Sequence, residues 1–466
     1  MSLSTSAGAK TVREEVLSME HHFRSEAGKC FRLVWSEVVK RFPSCMVRGR
    51  KVFPSCMVRG RKVFRLVWSE AGRCVRLVKS EPGSCFRLLS DSKVNRYYGS
   101  FLDRHRQKLS CAEDRKHCET FYLPKNYNAY HLNGKTITID GRLNDDAWKE
   151  VSWSSDFVDM RSERFPTPFF TTKFKLRWDD ANLYVGAYVQ EKDVYATKTQ
   201  HDDQLWKENG FEMLMAIDGT LFNYKQVQVN ALGTTMYQLL FKSPYEAAGK
   251  PAWENPDYNT RAWEANLTSQ VNVDGTINQP GDEDKFWTVE ISIPFRNLAL
   301  NSNRSQIDPK PYSNEVWFMQ FGRSEQNLTV ANGSYVPQVL SEQNWWSWQP
   351  CGTINLHLQD RWGLVQFKRN RNDKKFRYKK WHVYRTLFDV MNAMDVYKAL
   401  NGKFTDNIAE LDIPPYLMTA TCVKMPEIKL LSRENGTKGF EIGVKSLVIT
   451  QLPMGHIRED RYVWFR

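Results

Sequence analysis

The central part of the chain, residues 122–368, predicts a mostly β protein: a two-sheet antiparallel β-sandwich of the jelly-roll or immunoglobulin-like type. The segment contains short runs rich in β-branched and aromatic residues, with alternating apolar and polar side chains and with Gly, Asp, Asn or Pro turns between them. No long helical pattern interrupts these runs. The runs are TITIDG, TKFKLRW, NLYVGAYVQ, FEMLMAID, YKQVQVNAL, TTMYQLLF, SQVNVDG, KFWTVEISIPF, EVWFMQFGR and RWGLVQF.

The run at residues 285–295 shows the alternation most clearly. Trp287, Val289, Ile291 and Ile293 fall on one face, and the residues between them are mainly polar. Because successive side chains of a strand point to opposite faces, this pattern predicts a strand with one side in a hydrophobic core.

Residues 381–466 predict a small α+β appendix. An apolar stripe at helical spacing opens the segment, and Asn401-Gly402 supplies a left-handed stop. The stripe consists of Leu387, Met391, Met394 and Tyr397. Two strand-like runs, FEIGVKSLVI and RYVWFR, follow the helix.

Residues 1–120 differ from the rest in charge and in repetition. They hold 25 Lys and Arg against 12 Asp and Glu, a net charge of +13 that equals the net charge of the whole chain. An 11-residue unit recurs as SEAGKCFRLVW, SEAGRCVRLVK and SEPGSCFRLLS. We expect a disordered basic arm or a gene-model artefact. The remaining chain has no net basic field, which argues against nucleic-acid binding there.

Cysteine usage and apolar runs bear on localisation. Seven of nine Cys precede residue 120, which predicts that disulfides do not hold the main body together. No apolar run is long enough to span a membrane, and the visible amino terminus has no secretory signal pattern. A sandwich of this type favours an extracellular location, which the sequence leaves open together with protein partners and oligomeric state.

Tryptophans point to a recognition surface. Trp206 lies in the loop DDQLWKENGFE, and Trp345, Trp346 and Trp348 lie in the turn-rich stretch QNWWSWQP. Flat indole rings can cover the apolar face of a pyranose ring. Trp346 alternates away from Trp345, so we assign Trp346 to the core.

The run YKQVQVNAL predicts an amide ladder beside these rings. Tyr224, Gln226, Gln228 and Asn230 share one strand face by alternation. An amide side chain can donate to one sugar hydroxyl through its N–H group and accept from another through its carbonyl oxygen. The stripe could equally be an ordinary solvent-facing surface, and the sequence leaves both interpretations open.

Several of these runs together resemble one family. ITIDGRLNDDAW, LRWDDANLYVGAYVQ, LWKENGFEMLMAIDG, NYKQVQVNALGT, WTVEISIPF, NWWSWQPCGTINLH and RWGLVQF occur in the order typical of the family 9 carbohydrate-binding modules, in particular the free-standing family 9-like proteins. The resemblance covers nearly all of residues 122–368. It implies a distorted β-sandwich that binds an oligosaccharide or polysaccharide without cutting it, in support of carbohydrate catabolism.

The resemblance also implies site residues. Two Trp would enclose a terminal sugar while a Glu and amides bind its hydroxyls; Trp206 matches the first Trp and Glu212 matches the Glu. Trp345 and Trp348 compete for the second Trp position. Gln226, Gln228 and Asn230 fall where the family keeps polar sugar contacts.

One feature departs from the family pattern, and a second implication of the resemblance concerns a metal ion. Between Trp206 and Glu212 the chain has Glu208, Asn209 and Gly210, where family members carry more acids. The resemblance further implies structural Ca²⁺ but no required cofactor. Asp-rich turns are also common as plain turns. The calcium candidates are Asp140, Asp145 and Asp146.

Two other functions stay open. A glycoside hydrolase would need paired carboxylates across a cleft, and Glu212 and Glu290 qualify by residue type alone; we expect Glu290 to be a solvated strand acid. Common catalytic motifs are missing from the sandwich. A haem-binding sandwich would need a Met and a His. Its candidates are Met213, Met215, Met236 and His357, although a strand Met usually belongs to the core.

Overall fold

The computed structural model describes residues 118–240, 260–338, 343–413, 421–432 and 438–466, together with four short strands nearer the amino terminus. Those four strands pair as two hairpins, β1 with β2 and β3 with β4. Their bounds are Cys56–Val58 (β1), Lys62–Phe64 (β2), Val75–Arg76 (β3) and Leu89–Ser90 (β4). The rest of the predicted basic arm, as far as residue 117, lies outside the described residues.

A large curled sheet forms the centre of the described molecule. Its strands are Asn126–His131 (β5), Val158–Asp159 (β6), Thr172–Trp178 (β7), Asn182–Gln190 (β8), Gly210–Ala216 (β9), Tyr224–Val229 (β10), Thr235–Leu240 (β11), Thr260–Ala262 (β12), Thr268–Asp274 (β13), Phe286–Pro294 (β14), Val316–Glu325 (β15), Asn344–Ser347 (β18) and Gly363–Lys368 (β19). The neighbours run β12-β11-β10-β9-β15-β19-β5-β7-β8-β14-β13, and β18 joins β15 to β6.

The two halves of this sheet face each other across one hydrophobic core. Phe174 of β7 stacks on Phe321 of β15 with ring centroids 3.7 Å apart, although two strands separate β7 from β15 along the sheet. The apolar face predicted for residues 285–295 is fully buried in this core. The prediction of a mostly β, two-layered fold is confirmed.

The structure adds a detail that alternation could not supply. The two layers are continuous through β19, β5 and β7, and the β19–β5 and β5–β7 pairings are parallel. The other pairings of the sheet are antiparallel in the described residues. Side-chain alternation marks a strand's two faces but carries no information about which neighbour it pairs with.

The predicted strand TITIDG is the exception among the runs. Residues 136–141 form no strand; β5 lies before them instead. Their backbone donors go to side chains: Thr138 N–H donates to Asp145 and Asp140 N–H donates to Glu290. The apolar and polar residues of this run do alternate, but these backbone N–H groups donate to side chains and not to a neighbouring strand.

The helices are few. α1 (Asp146–Lys149) and α2 (Phe295–Leu298) are single turns, whereas α3 (Trp381–Asn401) is long. Gly402 caps α3 with φ 72°, as the Asn-Gly stop predicted. Short 3₁₀ turns occur at Leu205–Lys207, Asn303–Gln306, Gln359–Arg361 and Ile408–Glu410.

The carboxyl-terminal segment packs on the outer face of the curled sheet. Leu387, Met391 and Met394 of α3 are buried in a second apolar cluster that also holds Phe318 and Leu364 of the sheet. Four antiparallel strands cover the helix: Glu427–Ser432 (β20), Lys438–Val444 (β21), Gly455–Arg458 (β22) and Val463–Phe465 (β23). A separate hairpin is formed by Leu328–Ala331 (β16) and Ser334–Pro337 (β17).

A disulfide connects the segment before β5 to the carboxyl-terminal segment. Cys118 and Cys422 are bonded across 304 residues of sequence. The prediction that disulfides do not hold the main body was wrong, because Cys118 had been counted with the basic arm although its side chain is buried in the second cluster. Among the described helices, none has the length and apolar composition needed to cross a bilayer.

Reduction of this disulfide should lower thermal stability. Releasing so long a loop restores conformational entropy to the unfolded chain, and we expect a loss of about 2–4 kcal/mol. Thermal melts with and without a reducing agent measure it, and a Cys118→Ser, Cys422→Ser double variant serves as control because reductant should no longer shift its melting temperature. Equal wild-type melting temperatures under both conditions would show that the bond contributes nothing.

Candidate functional site

A buried polar ladder crosses the outer face of strands β9, β10 and β11. Gln226 Nε2 and Gln228 Nε2 both donate to Glu212 Oε2, at 2.7 and 2.9 Å. Gln228 lies directly opposite Glu212 in the β9–β10 register, so alternation alone brings them together. The predicted shared face is confirmed, but it is not a solvent surface: Glu212 is 6% exposed and Gln228 is 4% exposed.

The two oxygens of Glu212 differ. Oε2 accepts both amide hydrogen bonds, whereas Oε1 accepts none from the described residues. Burial raises the pKa of the Glu212 carboxyl, and the hydrogen bonds from Gln226 and Gln228 oppose that rise.

A glycine makes room for this carboxylate. Gly322 of β15 pairs with Glu212, and a Cβ at this position would come 2.9 Å from Glu212 Oε1 and 2.5 Å from Leu356 Cδ1. Leu356 therefore lies over the same part of the sheet. An apolar side chain therefore borders Glu212 Oε1.

Asn230 does not share in this open site. It is fully buried, and its Nδ2 donates to Lys198 O and to Glu208 Oε1. Its Oδ1 accepts from the backbone N–H groups of Leu232 and Thr234. The prediction that Asn230 contacts sugar is corrected, because both donors and the acceptor are already used to hold the turn after β10.

Trp206 occupies the loop that leads into β9. It lies in the 3₁₀ turn Leu205–Lys207 and is partly exposed, with Lys207 Nζ 5.1 Å from its ring centroid. Glu208 fixes the next part of the loop, since its carboxylate accepts from Thr197 N, Thr197 Oγ1 and Lys198 N. The backbone that carries the indole is thus anchored.

The three clustered tryptophans have separate surroundings. Trp345 of β18 is partly exposed and lies opposite Ser324 of β15, on the face that carries Glu212. Trp346 is buried in the sandwich core, as predicted. Trp348 is 1% exposed and packs against Phe174 with ring centroids 5.1 Å apart. Trp348 is therefore corrected to a core residue, and Trp345 is retained as the second candidate.

Glu290 lies elsewhere and is neither solvated nor catalytic in its contacts. It is 0% exposed, and its carboxylate accepts from the backbone N–H groups of Asp140, Gly141 and Leu143 and from Trp148 Nε1. The prediction of a solvated acid was wrong because these donors come from residues about 150 positions away. Glu290 is a structural acceptor that holds the 140–148 turn.

Glu212 and Glu290 cannot share a cleft. Each faces outward from its own layer, since their strand neighbours Met213 and Ile291 point into the common core. The haem candidates are divided as well: Met213 and Met215 lie in that core, whereas Met236 and His357 lie on the outer face. Met236 pairs with Gln228 and His357 contacts Tyr224 Oη, four residues away along β10. Burial lowers the pKa of His357 to about 4.

The calcium candidates make separate contacts. Asp140 accepts from Arg142 N, Asp145 accepts from Thr138 N, and Asp146 pairs with Lys149. Within the described part of the chain, no group of three or more His, Cys, Asp or Glu side chains is placed to hold a metal ion. Calcium binding at these residues stays a prediction without geometric support.

A buried charge cluster supports the Trp206 loop from below. Arg323 donates to Glu325 and lies 3.5 Å from Glu191, and all three side chains are almost fully buried. Asn209 connects the cluster to the loop, because its Nδ2 donates to Glu191 and its Oδ1 accepts from Gln326 N. Sequence reasoning missed this cluster; the available signal was a charged residue on the inward alternation of β15.

Comparison with known proteins agrees with the sequence motifs. Residues 139–308 match the family model described as carbohydrate family 9 binding domain-like, so the predicted resemblance is confirmed over this segment. No curated protein matches the chain.

Solved structures match as well, among them the following three. One is a Bacteroides uniformis protein to which carbohydrate binding has been provisionally attributed, with 13% identity, a TM-score of 0.37, and coverage of 53% of this chain and 100% of that chain. Two are a family 9 carbohydrate binding module from Caldicellulosiruptor kristjanssonii, in complex with cellotriose or glucose. Both are 16% identical with TM-scores of 0.32; the alignments cover 55% and 53% of this chain and 100% and 98% of those chains.

The charge cluster should make stability depend on pH. Burial raises the pKa of Glu325 to about 8 against the opposing charge of Arg323. The folded protein therefore holds this proton up to a higher pH than the unfolded chain does. The contribution of protonated Glu325 to the unfolding free energy is present at acidic pH. It should fall by up to about 1.4 kcal/mol per pH unit as pH rises towards 8.

Denaturant unfolding of the wild type and of Glu325→Gln between pH 5 and 9 measures this effect. The variant should lose much of the slope because its amide stays neutral. Glu283→Gln, at an exposed position, should keep the wild-type slope. Identical slopes for Glu325→Gln and wild type would contradict the assignment.

Proposed function

We propose that residues 122–368 bind carbohydrate without cleaving it, at an outer-face site formed by Trp206, Trp345 and Glu212. The observation that carries the proposal is the half-satisfied carboxylate. Glu212 Oε1 accepts no hydrogen bond from the described residues, while Oε2 is held by two amides. A ligand that donates a hydroxyl would complete this group.

The two partly exposed tryptophans support a sugar as that ligand. Trp345 lies two strands across from Glu212 and two residues further along the strand direction. Ordinary strand spacing then separates their Cα atoms by roughly 12 Å. The backbone carbonyl of Trp206 accepts from Gln343 Nε2, two residues before Trp345. Indole faces and a hydroxyl acceptor in one region suit a pyranose, which has both an apolar face and polar edges.

The family match supports the same class of ligand, and neutral sugars are the natural probes. Cellotriose and glucose were bound by a family 9 module that matches this chain, so both belong in the first panel. The carboxylate of a uronic acid would approach Glu212 with like charge, and we expect galacturonate oligomers to bind poorly. Gln226 and Gln228 position Glu212 in this scheme.

No described contact favours the hydrolase or the haem alternative. The two candidate acids face outward from different layers, and the haem candidates are divided between the core and the outer face. Release of reducing sugar from cello-oligosaccharides by the purified protein would contradict a purely binding role. A contribution to carbohydrate catabolism follows only if the bound sugar is also a substrate of a partner enzyme.

Truncation of Trp206 should weaken sugar binding. Trp206→Ala removes a stacking surface, and we expect a loss of about 1–3 kcal/mol in cellotriose affinity by calorimetric titration. Trp464→Ala is the matched control, because Trp464 is also partly exposed but lies on β23. Equal affinity for wild type and Trp206→Ala would remove Trp206 from the site.

Glu212 should give binding a characteristic pH profile. Because burial raises its pKa, neutral-sugar affinity should begin to fall at a higher pH on acidification than an ordinary Glu would produce. Glu212→Gln should bind more weakly, by about 1.5–3 kcal/mol for a lost charged acceptor, and its affinity should be flat between pH 4 and 8. A pH-dependent affinity that survives in Glu212→Gln would exclude Glu212 as the titrating group.

A further inference from the structure

Three side chains bind three consecutive carbonyls of the Trp206 loop. Gln343 Nε2 donates to Trp206 O at 3.0 Å, Gln326 Nε2 donates to Lys207 O at 2.9 Å, and Ser324 Oγ donates to Glu208 O at 2.6 Å. Each residue of the loop backbone from 206 to 208 is therefore held by its own donor. We call Ser324, Gln326 and Gln343 the carbonyl clamp.

The carbonyl clamp links the two candidate stacking residues. Gln343 precedes Trp345 by two residues, and Ser324 pairs directly with Trp345 across β15 and β18. The same two side chains bind the loop that carries Trp206. The separation between the Trp206 and Trp345 backbones is thus set by hydrogen bonds that exist before any ligand is present.

Stability alone does not account for the two glutamines. Gln326 Oε1 and Gln343 Oε1 are fully buried and have no partner among the described residues. A buried acceptor without a hydrogen bond is unfavourable, so each glutamine contributes less to folding than an amide with both ends satisfied would. The chain keeps a costly side chain at both positions, and its amide N–H points to the Trp206 loop.

We infer that the carbonyl clamp consists of positioning residues that hold Trp206 in its ligand-binding orientation, an inference that rests on the proposed carbohydrate site. The physical effect is preorganisation. A loop that is ordered on folding does not lose conformational freedom on binding, so affinity is higher than for a loop that must be ordered by the ligand. The ligand need not touch the clamp itself.

Glutamine-to-methionine variants separate positioning from stability. Gln326→Met and Gln343→Met keep side-chain length and remove both the donor and the unpartnered oxygen. Each should weaken cellotriose binding about 3- to 10-fold, whereas the loss of the donor to a loop carbonyl should lower the melting temperature no more than the same loss does in the control below. Gln366→Met is the matched control, since Gln366 is also buried and donates to the carbonyls of Asn314 and Arg377, away from the site. Ser324→Ala is a milder variant should a methionine variant fail to fold.

A double-mutant cycle with Trp206→Ala tests whether the clamp acts through the indole. In the Trp206→Ala background, Gln343→Met should change cellotriose affinity by less than about 2-fold, because the side chain that it positions is gone. An equal fold-loss in both backgrounds would overturn the inference. Unchanged affinity in both Met variants of the otherwise wild-type protein would overturn it as well.

A ligand-free measurement distinguishes failure of the clamp from failure of the proposed function. In protein labelled with 5-fluorotryptophan, the Trp206 ¹⁹F resonance is assigned by its loss in Trp206→Phe. This resonance should sharpen in Gln343→Met and stay unchanged in Gln366→Met. If cellotriose does not bind but the line sharpens, the proposed function fails and the clamp stands. If cellotriose binds but neither line width nor affinity responds, the clamp fails and the function stands.

Discussion

The half-satisfied carboxylate of Glu212 is the constraint around which the outer face is organised. A buried carboxylate is unfavourable unless hydrogen-bond donors surround it. Gln226 and Gln228 supply those donors to one oxygen, and Gly322 leaves space beside the other. The strand register places all four residues together, so the curl of the sheet and the chemistry of the face depend on the same backbone pairings.

Hydrogen bonds between polar groups also connect the Trp206 loop to the sheet. The carbonyl clamp binds the backbone of the Trp206 loop, and Asn209 connects the same loop to the buried Arg323 cluster. Charged residues in that cluster are expensive to bury, yet they fix the backbone of the loop. Rigidity at the candidate site is thus supplied by polar contacts, whereas the apolar core of the sandwich holds the layers.

Local alternation predicted much of the fold and part of the site. It gave the apolar face of residues 285–295, the shared face of Gln226 and Gln228, and the core position of Trp346, because each depends only on neighbours along one strand. The helix stop at Gly402 was equally local. Family resemblance then added Trp206 and Glu212 as a pair, which composition could not do.

Features that depend on distant partners could not be predicted. Glu290 is buried by a turn that lies about 150 residues earlier, Asn230 is saturated by Lys198 and Glu208, and Trp348 is covered by Phe174. The Cys118–Cys422 bond joins residues that are 304 positions apart in the sequence. A residue's type states which contacts it can make, but only the fold decides whether a distant group is present to make them.

A crystal structure of the protein with bound cellotriose tests the central claim most directly. The account predicts a sugar hydroxyl within hydrogen-bond distance of Glu212 Oε1 and a sugar ring against the indole of Trp206. A ligand bound at another surface, with Glu212 Oε1 still without a donor, would contradict it.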